Sequence, residues 1–352
     1  MQVGYPYPTK RRYFGCFERH RQFENIGFEN PTHIFQTTLT PTPERLPNKC
    51  PTAFQTTSPT LPHGCFSPPP RCLPFFSHAA PRVATSDWTI TETLTAMGHP
   101  PVGVADRRVY DTWVNYPPLP ASVKEAGLRF QPNLERLYQI KPDFFVQSSW
   151  YAAAKPQFEK IAPVHELDFG TPKGIEYAHT LDTTRKLGRL IGDTPAAEKL
   201  IRDTENLFAR ARPVLAPYRN RPFAAVQFAD GRHLRIYSKT SLFQVVFDKL
   251  GLKNAWTGKS NEWGFENITL VDLAKLPPDT VLIIVKPHPQ NTRPVLEKST
   301  LWKRLPFSRP ENRRIFEPSW SYGALPSMQH FTLQLMRSMP SETASANKEA
   351  AW

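Results

Sequence analysis

The sequence predicts an α/β protein of two lobes joined by a single long helix, with a ligand cleft between the lobes. Three observations carry this. Apolar runs of strand character alternate with helical patterns over residues 81–193. One long amphipathic pattern follows, over 194–216. The alternation then restarts and continues over 217–340. Strands that alternate with helical segments build sheets with helices on their faces. Ligands of such sheets settle beyond the carboxyl ends of the strands.

Each element has its own signal. A helix over Thr89–Met97 is stopped by Gly98 and Pro100, and a buried strand from Pro101 to Ala105 ends at Asp106. Leu134–Gln139 reads as a short helix and Asp143–Gln147 as a second apolar strand, with Ser148–Tyr151 as the loop beyond it. Ile175–Leu190 is helical. The long helix has Thr194 as its N-cap and Pro195 at its first position, where a missing N–H does no harm. Ala197, Leu200, Ile201, Thr204, Phe208 and Ala211 share one face of it, and Pro213 bends or ends it. In the second lobe Phe223–Phe228 and His233–Tyr237 read as strands. Ser241–Leu250 is a helix closed by Gly251, and Ile268–Leu276 another helix. Thr280–Val285 is the clearest buried strand in the chain. Arg314–Glu317 is a late strand, Ser327–Met336 the last helix and 341–352 a polar tail.

Composition divides the chain at about residue 80. The chain has 352 residues and 38 prolines, about twice the usual share of ~5%. Thirteen of them lie in 1–80, with all four cysteines (Cys16, Cys50, Cys65, Cys72) and neither Asp nor Trp. All eight tryptophans lie beyond residue 80, where there is no cysteine. Residues 1–80 read as a separate, Pro/Thr/Cys-rich segment, unfolded or non-native. A misplaced start codon or a reading-frame error would account for it, and N-terminal sequencing of the natural product tests this. Lys10-Arg11-Arg12-Tyr13-Phe14 is followed by the polar Glu18-Arg19-His20-Arg21-Gln22 and not by an apolar stretch, so it makes no convincing export signal. The cysteines form no CxxC pair, which argues against zinc. No run of about 18 apolar residues exists to span a membrane. The net charge of +13 favours anionic partners without choosing among them.

Chemistry is concentrated in the loops after the strands. These hold Trp113, Arg129, Trp150, Tyr151, Trp263, Trp320 and Tyr322. Indoles and phenols make rigid apolar walls with polar tips, and an arginine adds a permanent charge with five donors. The combination suits a bulky ligand with a few acceptor oxygens; the plainer alternative is core or interface packing. No GxGxxG, GxxxxGK[ST], GxSxG or HExxH motif is present, and the six histidines beyond residue 80 are far apart. His99 reads as a turn residue. Lys286-Pro287-His288-Pro289 reads first as an exposed turn and second as part of the cleft lining. Basic residues form no stripe, which speaks against nucleic acid.

Residues 83–337 resemble the periplasmic ferric hydroxamate (ferrichrome-type) siderophore-binding proteins, the substrate-binding components of ABC importers. The resemblance rests on an ordered set of motifs. In the first lobe they are Asp87-Trp88 with Glu92-Thr93-Leu94, Gly103-Val104-Ala105-Asp106, Trp113-Val114, Leu119-Pro120, Gly127-Leu128-Arg129, Pro132-Asn133-Leu134-Glu135 and Ile140-Lys141-Pro142. In the second they are Ser241-Leu242-Phe243-Gln244, Asn254-Ala255-Trp256, Asn261-Glu262-Trp263-Gly264, Leu301-Trp302 and Trp320-Ser321-Tyr322-Gly323-Ala324. The resemblance implies two Rossmann-like lobes with the long helix between them. It implies that Arg129 and Tyr151 hydrogen-bond hydroxamate oxygens around the iron, that Trp263, Trp320 and Tyr322 pack on the siderophore, and that Trp88, Trp113 and Asn261 assist. The iron is held by the siderophore, so no protein metal ligand and no cofactor is implied. A monomeric, non-enzymatic carrier in the periplasm that serves an inner-membrane ABC permease is the implied role. Ferric citrate, a catecholate, haem or cobalamin is the alternative cargo.

Two departures accompany the resemblance. Gln147 stands where related proteins can carry a tryptophan, with consequences for ligand shape or polarity. Pro156 and Val271 stand where a docking glutamate is expected on each lobe, with Glu159 and Asp272 close by as substitutes.

Overall fold

A computed structural model of the chain describes residues 80–339. The expectations for 1–79, including the four cysteines, and for the tail beyond 339 lie outside these residues. The first sheet is built from β1 (Val83–Thr85), β2 (Gly103–Val104), β3 (Lys124–Glu125), β4 (Phe144–Gln147) and β5 (Val164–Glu166). All its pairs are parallel, in the order β3-β2-β1-β4-β5. Helices α1 (Trp88–Ala96), α2 (Arg107–Trp113), α3 (Leu134–Ile140), α4 (Lys155–Phe158) and α5 (Tyr177–Leu190) connect or follow these strands. The long helix α6 (Thr194–Leu215) comes next.

The second sheet holds β6 (Pro222–Phe228), β7 (His233–Tyr237), β8 (Lys253–Asn254), β9 (Phe265–Thr269), β10 (Val281–Val285) and β11 (Arg313–Phe316). Its order is β11-β10-β6-β7-β9, with β8 also on β6. The β10 and β11 pairings are parallel, whereas β7 runs antiparallel to both β6 and β9. Helix α7 (Leu242–Leu250) precedes β8; α8 (Thr292–Lys298) and α9 (Thr300–Arg304) lie between β10 and β11; α10 (Leu325–Ser338) ends the described chain. Strand β10, Val-Leu-Ile-Ile-Val, is buried along its whole length, as expected of a parallel strand covered on both faces.

The core that ties these parts together lies along α6 and α10. Phe208, Ala211 and Leu215 of α6 join Phe243 and Phe247 of α7 and Met328, Phe331 and Leu335 of α10 in one buried cluster. The same cluster takes in Ile90 and Leu94 of α1. Each of the larger side chains, the leucines, isoleucine, methionine and phenylalanines, contributes about 1.5–3 kcal/mol on burial. A second cluster, with Leu296, Trp302 and Phe307, fills the outer side of the second sheet.

Several local expectations are corrected. Asp193, not Thr194, caps α6: its carboxylate accepts from the Ala196 N–H at 2.9 Å, and Pro195 falls one position later than expected. Pro213 does not end the helix, which runs on to Leu215 although the proline can donate no hydrogen bond to the Ala209 carbonyl one turn earlier. The helix expected over Ile268–Leu276 is the end of β9 followed by a 3₁₀ turn over Leu270–Lys275. The ladder to β7, from His233↔Thr269 to Tyr237↔Phe265, overrides the local helical pattern. The loop expected at Ser148–Tyr151 is a 3₁₀ turn over Ser149–Ala154. His99 is more than a turn residue: its Nε2 lies 2.8 Å from Asp193 Oδ2 and so braces the α6 cap. Strands β1, β3, β5 and β8 and helices α2, α4, α8 and α9 escaped the sequence reading.

Candidate functional site

The first-lobe wall is built at the carboxyl ends of β1, β2 and β4. Asp106 follows β2 with φ 51°, and its N–H donates to the Gly127 carbonyl at 2.7 Å. Gly127 has φ 99°, and a Cβ there would lie 2.4 Å from the Asn133 nitrogen, so only glycine fits this turn. The turn delivers Arg129. Asp106 Oδ2 accepts both the Arg129 backbone N–H (3.2 Å) and its Nε–H (3.3 Å). The guanidinium carbon sits 3.9 Å from the centre of the Trp88 ring, and Trp88 is pinned by an Nε1–H bond to the Ala105 carbonyl at 3.0 Å. Arg129 is buried in this sandwich, so its charge is oriented by a carboxylate on one edge and an indole on one face.

Aromatic rings continue from this point in both directions. Phe130 follows Arg129 and stacks on Tyr151 at 5.3 Å. Trp88 meets Trp320 edge-on at 5.2 Å, and Trp320 meets Tyr322 at 5.1 Å. Tyr322 touches Trp263 at 6.0 Å and Trp150 at 5.5 Å, and Trp150 meets Trp263 at 4.7 Å. Residues 88, 129, 130, 150 and 151 come from the first lobe, and 263, 320 and 322 from the second. Two sets of rings, Phe130–Tyr151 and the five that run from Trp88 to Trp150, therefore meet at Arg129, whose guanidinium carbon lies 5.9 Å from both the Phe130 and the Trp320 ring centres, and together they span the junction of the lobes.

Trp263 owes its place to the turn that carries it. Asn261 Oδ1 accepts from the backbone N–H of Trp263 and of Phe265, at 3.0 and 3.2 Å. Gly264, at φ 81°, packs so tightly on Ser241 that a Cβ would lie 2.6 Å from its Cα. The Trp320–Tyr322 segment is tied to α1 instead. Thr89 Oγ1 donates to the Tyr322 carbonyl at 3.0 Å and accepts the Trp320 indole N–H at 3.2 Å.

The eight residues singled out from the sequence thus fall into two classes. Arg129, Tyr151, Trp263, Trp320 and Tyr322 are brought together, with Tyr151 and Trp320 buried and Trp263 and Tyr322 half-buried. The other three stand behind them: Trp88 is 1% exposed and forms the floor under Arg129, Trp113 packs half-buried on the Trp88–Trp320 cluster, and Asn261 shapes the backbone that presents Trp263. Trp150, at 40% exposure, is the most open ring of the group, yet the sequence reading placed it only among the loop aromatics. Phe130 and Thr89 were missed. Adjacency to Arg129 and to Trp88 was the only signal either carried.

The remaining candidates also find places. Gln147 is buried at the end of β4, where its Oε1 accepts the Ser86 N–H at 2.9 Å. Lys286, Pro287 and His288 are not a bare turn; with Asp111 and Asn115 of the first lobe they border a cavity of about 320 Å³. Asp272 closes its own capping box with Thr269 and meets Lys275 Nζ at 2.6 Å, which pulls its carboxyl down to about 2. The neighbouring Val271 is left exposed. Glu159 pairs loosely with Lys155 at 3.8 Å.

Two buried acids lie behind the rings. Asp87 caps α1 through the Thr89 and Ile90 N–H groups, and burial raises its carboxyl against the pull of those bonds. Glu92 is fully buried, and burial pushes it up to about 8. Among the described residues, no group of three or more His, Cys, Asp or Glu side chains could hold a metal ion. No helix of these residues is long and apolar enough to cross a membrane.

Comparison with known proteins agrees with this architecture. The chain is 32% identical over 250 residues to the iron(3+)-hydroxamate-binding protein FhuD of Escherichia coli K12, covering 71% of this chain and 84% of that protein. It is 24% identical to the ferric-anguibactin-binding protein FatB of Vibrio anguillarum, over 64% of this chain and 70% of that protein. The Fe(3+)-citrate-binding protein YfmC of Bacillus subtilis is 22% identical, over 64% of this chain and 69% of that protein. The crystal structure of FhuD from Vibrio cholerae with bound Fe3+–Desferal superposes with a TM-score of 0.67 at 25% identity, covering 74% of this chain and 98% of that one. Residues 83–317 match the family model described as periplasmic binding protein. With two α/β lobes, a single long helix between them and this match over most of its length, the chain belongs to the periplasmic binding protein family.

Proposed function

We propose that the protein is the substrate-binding component of an iron-siderophore ABC importer and that its cargo is a ferric hydroxamate. The observation that carries this is Arg129, oriented by Asp106 and stacked on Trp88, at the centre of an aromatic group drawn from both lobes. A ferric ion chelated by three hydroxamates has no free coordination position. What such a complex presents is oxygen acceptors on one side and an apolar organic shell on the other. A guanidinium and a phenol suit the first, and indole walls suit the second. In this reading Arg129 donates to hydroxamate oxygens, assisted by Tyr151, while Trp263, Trp320, Tyr322 and Trp150 pack on the shell. Trp88, Trp113 and Asn261 position them. The iron is cargo, held by the siderophore, and the protein returns it unchanged. An inner-membrane permease as partner, a monomeric state and a periplasmic location complete the proposal; nucleic acid has no part in it. The likeness to binding proteins for ferric anguibactin and ferric citrate favours a second reading within the same role, in which the cargo is another ferric complex.

A fluorescence titration separates the readings. Ferric complexes bound beside Trp263 and Trp150 quench their emission. A ferric hydroxamate should bind with a Kd of about 1 μM or tighter, roughly −8 kcal/mol, and the iron-free hydroxamate and a ferric catecholate should bind more weakly. Preference for ferric citrate or a catecholate would transfer the role to the second reading. Arg129→Ala should cost on the order of 1.5–3 kcal/mol of binding, as for a hydrogen bond to a charged group. An unchanged affinity in that variant would remove Arg129 from the site.

A further inference from the structure

Glu92 lies on α1 of the first lobe, yet its partners belong to the second. Its Oε1 accepts the Ala324 backbone N–H at 2.6 Å, and its Oε2 meets the Ser327 hydroxyl at 2.5 Å. Ala324 and Ser327 begin α10, a helix of 14 residues whose N-terminus has no side-chain cap of its own. The first turn of a helix leaves N–H groups without intrahelical partners and carries partial positive charge. Glu92 meets that need from the other lobe. The contact is close enough to dictate the sequence beside it: a Cβ on Gly323 would lie 2.7 Å from Glu92 Oε1 and 2.3 Å from Ser327 Oγ.

One turn earlier on α1, Thr89 bonds to the Tyr322 carbonyl and the Trp320 indole. Two side chains of one first-lobe helix therefore hold the three residues that bear on the second-lobe wall: Trp320, Tyr322 and Ala324. Trp88, on the same helix, lies under Arg129. An acid is an expensive choice for a position with no solvent exposure, since burial disfavours its charged form. A leucine would avoid that cost but would leave the Ala324 N–H and the Ser327 hydroxyl without their acceptor. What the carboxyl supplies, and a leucine cannot, is a pair of directed oxygen contacts across the junction.

Building on the ferric-hydroxamate reading, we infer that Glu92 is a positioning residue: its cross-lobe contacts with Ala324 and Ser327 set the Trp320–Tyr322 wall in register with Arg129. It does not touch the ligand. It acts through the loop that leads into α10.

The test uses the full chain, Fe3+–Desferal as the probe, and ¹⁵N spectra of the tryptophan indoles without ligand. Glu92→Ala should weaken Fe3+–Desferal binding about tenfold. It should also move the indole resonance of Trp320, whose N–H bonds to Thr89, while that of Trp302 in the outer core stays in place. Glu92→Gln keeps an acceptor for the Ala324 N–H and should restore affinity to within about twofold. Leu296→Ala, which opens a hole in the outer core of the second lobe, should lower the melting temperature and leave affinity unchanged. Ser327→Ala supplies the same indole readout if Glu92→Ala fails to fold. A folded Glu92→Ala or Ser327→Ala protein with wild-type affinity and an unmoved Trp320 resonance overturns the inference. So does a loss of affinity in Leu296→Ala equal to that in Glu92→Ala. If the wild-type protein fails to bind Fe3+–Desferal, the hydroxamate reading falls, and the indole spectra still decide whether Glu92 positions the wall.

Discussion

Arg129 and the aromatic wall opposite it are held in different ways. The arginine is fixed by its own lobe: Asp106 on its Nε edge, Trp88 on its face, and the Gly127 turn behind it. Trp320 and Tyr322 belong to the second lobe but are tied to Thr89 of the first. Trp263 is carried by its own lobe, through Asn261 and Gly264. One wall is self-supporting and the other is largely borrowed, and α1 is the element on which both depend. Lobes bridged by directed contacts of this kind, and by the shared core of α6 and α10, are suited to small adjustments on binding rather than wide closure.

That asymmetry can be broken at its common support. Trp88→Ala should have the largest effect, about 3–5 kcal/mol of stability by chemical denaturation, because the ring is fully buried between Arg129 and Trp320. It should also weaken ligand binding from both walls at once. A Trp88→Ala protein with normal affinity would show that the walls are independent.

The pH dependence of stability sharpens the comparison next. Burial holds the Glu92 carboxyl up to about 8, against an ordinary value of 4.5. Between those values the folded protein keeps a proton that the unfolded chain has released. This contribution to stability is full below about 4.5 and is lost as pH rises to about 8. The slope is at most one proton, about 1.4 kcal/mol per pH unit. Glu92→Gln should flatten that part of the profile relative to wild type, as read from denaturant midpoints at pH 5 and pH 8. Parallel profiles would mean that Glu92 is ionised throughout.

The smallest effect is expected far from both walls, at Asp272. Its carboxyl is held down to about 2 by Lys275 and the Thr269 bonds, so what it contributes is present above its ordinary 3.8 and lost as pH falls toward 2. Asp272→Asn should cost about 0.5–1 kcal/mol of stability at neutral pH, as for a capping group. It should leave cargo affinity unchanged; a loss of affinity would extend the site beyond the lobe junction.

Much of this was legible in the chain itself. Apolar periodicity located α6, α7 and β10 because each is long or strongly patterned. The loop aromatics and Arg129 stood out because rings with polar tips and a permanent charge gather beyond the strand ends, where ligands of such sheets settle. The ladder of β9 to β7 was not legible, since its partner lies about 30 residues away and local pattern favoured a helix.

Local sequence, then, determined where the backbone turns and which residue types are available there: Gly127 with its positive φ and Val281–Val285 with its continuous apolar run are fixed by covalent geometry and hydrophobicity. Tertiary structure alone decided that Trp88 is a floor rather than a wall, that Trp150 reaches Trp263, and that Glu92 meets Ala324 across 232 positions of chain. Those outcomes depend on which surfaces the two lobes bring face to face. No stretch of sequence encodes that by itself, because the partners of a buried polar group are chosen by packing and not by neighbourhood along the chain.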